Sequence, residues 1–176
     1  MSVPAGRLAP TRRQPQEDIV WPTQWPEIAR DVADHTATAL AAARAQSVPA
    51  WEDAVAELAA LPYEQVAGVH ATMMRELLEE LHPDGLTGED VQAVLERSAR
   101  TASTWLPSLQ PDTLVAVLTG TLGVSDPAAP KASPDEYLRA GLVVLADLLA
   151  ARRAGPELYL RRALGEIERA ETIELP

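Results

Sequence analysis

A chain of 176 residues, 47% hydrophobic and 23% charged, is long enough for one domain with an ordinary core. It has no cysteine, which excludes a disulfide framework, a thiolate nucleophile and a cysteine-ligated zinc. Its net charge of −11 divides into +3 over residues 1–16 and −14 over the rest. An acidic body of that kind repels phosphate backbones, so nucleic-acid binding by the folded part is not expected.

Residues 1–25 read as an extended, proline-rich arm, with Pro4, Pro10, Pro15 and Pro22 set among small and polar residues. Arg7, Arg12 and Arg13 are not followed by an apolar stretch, so the arm lacks the pattern of a secretory leader. Trp21 and Trp25 each precede a proline, which pushes both towards extended backbone. Arginine and tryptophan are over-represented at interface hot spots, which makes Arg12, Arg13, Trp21 and Trp25 the candidate partner-binding residues. The competing expectation is that the tryptophans pin the arm onto the chain's own helices, where an alanine-rich core without phenylalanine is short of aromatic bulk.

From Pro26 onwards the sequence is punctuated by helix starts. Pro26-Glu27, Pro111-Asp112, Pro134-Asp135 and Pro156-Glu157 place a proline where a first helical position tolerates one, beside an acid that complements the helix dipole. Pro49 and Pro62 repeat the device with longer spacing. Ser133 and Glu136 form a capping box, and Thr87 to Asp90 a weaker one. His82-Pro83-Asp84-Gly85, Leu106-Pro107 and Arg152-Arg153-Ala154-Gly155 supply the stops. The predicted helices cover 26–46, 49–60, 62–82, 88–105, 111–123, 134–153 and 156–171. In the third, Val66, His70, Met73 and Leu77 make an apolar stripe; the sixth, with Leu138, Leu142, Leu145, Leu148 and Leu149, is expected at the centre. Its run from Leu142 to Leu149, broken by Asp147, is too short to cross a bilayer. Residues 124–133 form the one substantial internal loop.

Catalytic patterns are present only as halves. Glu79 to His82 has the Glu-x-x-His spacing of carboxylate-bridged metal sites, but no second copy exists. Glu76 and Glu79 match half of a helical magnesium motif, with no Glu-x-x-Asp to follow. Thr119-Gly120-Thr121-Leu122-Gly123 lacks the lysine and the strand context of a phosphate loop; its glycines suit a helix crossing or a helix end. Ser98, Ser103 and Ser108 have no base nearby in sequence. His70, on the apolar stripe, is expected in or near the core.

These observations predict an all-α protein: a compact bundle of six to seven helices over 26–176, with the extended arm over 1–25. The expected function is that of a small acidic protein–protein interaction or regulatory, adaptor-like protein without catalytic activity. It would be cytoplasmic, free of cofactors and away from nucleic acid and membrane, and its partner would be another protein or a second copy. The alternative is a ligand- or metal-binding helical bundle, or an enzyme, with a site near His70 or His82. The heavy use of alanine and arginine, against a single lysine at Lys131, has the look of a GC-rich bacterial genome.

Overall fold

The computed structural model describes residues 19–124, 127–128 and 131–173, with side chains as far as residue 167 at the C-terminal end. Arg12 and Arg13 lie outside the described residues. Those described contain seven helices and no strand: α1 (Glu27–Ala45), α2 (Val48–Ala59), α3 (Tyr63–Leu81), α4 (Gly88–Ser103), α5 (Pro111–Thr121), α6 (Pro134–Arg152) and α7 (Glu157–Ile173). Among them no helix is long and apolar enough to cross a membrane.

Local chemistry sets the helix ends. At α6, Ser133 Oγ accepts from the Glu136 backbone N–H at 3.2 Å, and the Glu136 carboxylate accepts from the Ser133 backbone N–H at 2.7 Å. Thr87 and Asp90 close the same reciprocal box at α4. Pro111 and Pro134 occupy first helical positions as predicted, where no N–H is needed. At α1 and α3 the sequence reading is off by one residue: Pro26 and Pro62 are N-caps, with ψ of 149° and 115°. Each contributes only its carbonyl, which accepts from Arg30 and Val66. Within the expected stop of α6, Arg153 takes the left-handed conformation (φ 56°), and Gln46 does so after α1 (φ 50°). The paired bonds Arg153 N–H to Ala150 O and Ala154 N–H to Leu149 O satisfy carbonyls that the helix end would otherwise orphan. Gly123 (φ 77°) closes α5 in the same way, with Val124 N–H donating to Thr119 O.

α6 is the central helix, in contact with each of α1 to α5. Leu142, Val144, Leu145 and Leu148 are fully enclosed. The charge that interrupts its apolar run is resolved by α4: Arg97 Nε lies 2.9 Å from both carboxylate oxygens of Asp147, and Nη2 lies 2.7 Å from one of them. A buried carboxylate gripped from two sides of a guanidinium fixes the register of α4 on α6. Trp51 of α2, wholly buried, meets Trp105 edge to face with centroids 5.3 Å apart. Glu52 and Asp135 share Arg139, which ties α2 to the start of α6.

The described end of the arm packs on this bundle. Trp21 is 8% exposed and stacks on Trp25 at 6.0 Å, while the Arg161 guanidinium of α7 lies 5.5 Å over its ring. Arg161 also donates to the Val20 carbonyl at 2.8 Å.

Candidate functional site: a cleft above His70

α3 and α5 both lie along α6 but touch each other far less, so a trough opens between them. The resulting cleft has a volume of about 860 Å³. Its α3 wall is Ala67, Ala71 and Met74, its α5 wall is Val115, Ala116 and Gly120, and α6 adds Leu138 and Gly141. The walls are set back because the residues are small. A Cβ placed on Gly120 would meet nothing within 4 Å, whereas one on Gly141 would touch Met74 and Val117 at ordinary contact distance, 3.8 Å. A helical glycine costs about 1 kcal/mol relative to alanine. No neighbouring atom in the fold accounts for its use at Gly120.

His70 is 3% exposed and lines the cleft. Its Nε2 is 3.0 Å from Thr36 Oγ1 of α1. The other ring nitrogen has no hydrogen-bond partner among the described residues. Burial lowers the His70 pKa to about 4, so the ring is neutral at physiological pH and offers one donor and one acceptor. The Thr36 hydroxyl can match either ring nitrogen state, which leaves the second nitrogen to take the complementary role.

The cleft's remaining polar groups are Tyr63, Arg75, Asp112, Thr119, Thr121, Lys131 and Tyr137. Tyr137 Oη accepts from the Ala132 N–H at 3.2 Å, leaving its own proton to donate. The two threonine hydroxyls donate back to α5 carbonyls, Thr119 to Val115 and Thr121 to Val117. Burial, with Glu64 and Tyr137 nearby, raises the Tyr63 pKa, so its phenol stays protonated.

His82 stands apart from His70. It ends α3, its Nδ1 is 3.5 Å from Asp90, and it lines a neighbouring cleft of about 590 Å³ with Leu78, Glu79 and Leu86, which shares Arg75 and Thr121 with the first. Among the described residues no three histidine, aspartate or glutamate side chains group to hold a metal ion. Glu76 and Glu79 do not act together. Glu76 pairs with Arg162 of α7, and its companion there is Glu80, which accepts from Tyr159 Oη at 2.7 Å, Arg152 at 2.8 Å and Arg162 at 3.0 Å. Those donors, Tyr159 foremost, lower the Glu80 pKa to about 2. Burial, then the bond to Glu80, pushes Tyr159 up to about 12. This network clasps α3 to α7.

Of the four arm residues singled out in the sequence, the structure describes Trp21 and Trp25 and places both against the chain's own helices. Sequence reasoning found His70 but not the cleft, whose one local signal was Gly120 inside a helix. No known protein family, curated protein or solved structure matches this chain.

Proposed function

We propose that this chain is a non-catalytic helical binding protein whose ligand sits between α3 and α5 above His70. The observation that carries the reading is the buried, neutral His70 with one nitrogen unpartnered at the base of an apolar-walled cleft. Ligand sites combine such volumes and apolar walls with a few convergent polar groups and a residue of shifted pKa. An adaptor-like role remains compatible with this reading, with ligand occupancy altering the face that α3 and α5 present.

The test uses the uncharged fluorophore N-phenyl-1-naphthylamine with the full chain. Saturable fluorescence enhancement is expected, and it should be lost in Gly120→Trp, whose side chain enters the cleft from an exposed helical position. Equal binding by a Gly120→Trp variant that melts like the wild type would sink the cleft as the site. So would failure of the wild type to bind.

A further inference from the structure

Resting on that reading, we infer that the cleft takes a small amphiphilic anion. An apolar chain or ring lies between Ala71, Met74 and Val117, and a carboxylate-type head meets Lys131 and Tyr137. The polar groups of the cleft carry the argument. Lys131 and Arg75 are cations, Tyr137 has a proton left to donate, and among the described residues lining the cleft only Asp112 opposes them with a negative charge. Neither Lys131 nor Arg75 forms an ion pair among the described residues, although residues 17–176 carry a net −14. Arg97, Arg139, Arg152 and Arg162 are closed onto carboxylates, and Arg30, Arg44, Arg100 and Arg153 are also without an ion pair, but of the described cations only Lys131 and Arg75 line this cleft. An acidic body that leaves two cations unpaired beside an apolar cavity presents a local field opposite in sign to its surroundings, and that field selects anions. The His70 nitrogen at the base adds a second polar anchor, which suits a ligand with an additional oxygen along its length.

Competition against bound N-phenyl-1-naphthylamine tests this, with decanoate and decyltrimethylammonium as chain-matched probes of opposite charge. Decanoate should displace the fluorophore and decyltrimethylammonium should compete at least about ten-fold more weakly, a ratio worth about 1.4 kcal/mol. Lys131→Glu and Arg75→Glu should each weaken decanoate while leaving the uncharged fluorophore in place. Arg100→Glu, the same charge change on an exposed α4 position outside the cleft, should have no effect. Equal competition by the two probes, or equal weakening by Arg100→Glu, overturns the anion assignment while the cleft stands. No fluorophore binding at all overturns both. Phosphatidylglycerol vesicles should not sediment the protein; sedimentation abolished by Lys131→Glu would assign the field to a lipid surface and overturn the free small ligand.

Discussion

On its α7 flank, α3 presents Glu76 and Glu80 to Arg152, Tyr159 and Arg162, and each of these three donates to a carboxylate there. On its α5 flank the same helix presents Ala67, Ala71 and Met74 across a cavity, with a histidine beneath whose second nitrogen has no partner. One flank is closed by charge-assisted bonds between long side chains; the other is held apart by short ones. The difference separates structure from site. Satisfied polar networks fix how two helices sit together, whereas a fold that leaves polar capacity unmet inside an apolar wall has room for something else.

The open flank should reveal itself most strongly through acid. His70 has a folded pKa of about 4, below the usual value near 6.5. The unfolded chain therefore binds this proton first, so the native state holds its full advantage above about pH 6.5 and loses it as pH falls towards 4. Between about pH 7 and pH 4.5 the wild type is expected to lose about 2.5 kcal/mol more stability than His70→Gln. Urea titrations of both proteins at the two pH values measure this, and parallel losses would mean that His70 is not a buried neutral ring. The closed flank should respond next. Tyr159→Phe removes a donor to a carboxylate and is expected to cost about 1–2 kcal/mol at neutral pH. The Glu80 pKa is depressed, so its contribution persists above about pH 4.5 and fades only as pH falls towards 2; the Tyr159→Phe penalty should accordingly be the same at pH 7 and pH 5. A penalty that shrinks by pH 5 would break the assignment of the clasp to Glu80. The smallest effect is a gain. Gly120→Ala, with nothing near the new methyl group, should raise stability by up to about 1 kcal/mol, read as a higher melting temperature. A loss would show that the cleft wall is closed in solution.

The helices were legible because their signals are local. Ser133 with Glu136, and proline at positions 111 and 134, act within one turn, and the structure keeps them. The one-residue offsets at Pro26 and Pro62 arise because proline's fixed φ suits the cap as well as the first helical position. The central place of α6 followed from leucine around most of its circumference, but the neutralisation of Asp147 by a residue 50 positions earlier did not. The cleft was illegible for the same reason. It forms where α3 and α5, not consecutive in the chain, both rest on α6, and much of its wall is alanine and glycine, which carry no periodic signal. Tryptophan chemistry was ambiguous at Trp21 and Trp25 because indole serves cores and interfaces alike; packing places Trp21 inside.

All four tryptophans occur as two couples, Trp21 with Trp25 and Trp51 with Trp105, in a chain without phenylalanine. Both couples hold their rings within exciton-coupling range, one nearly parallel at 16° and the other nearly perpendicular at 81°. The native protein thus carries two built-in optical reporters. The stacked couple, under the Arg161 cation, registers release of the arm from α7 through a change in quenching. The perpendicular couple registers only loss of the core, so comparison of Trp25→Leu with Trp105→Leu would resolve, by intrinsic fluorescence alone, whether the arm leaves before the bundle melts.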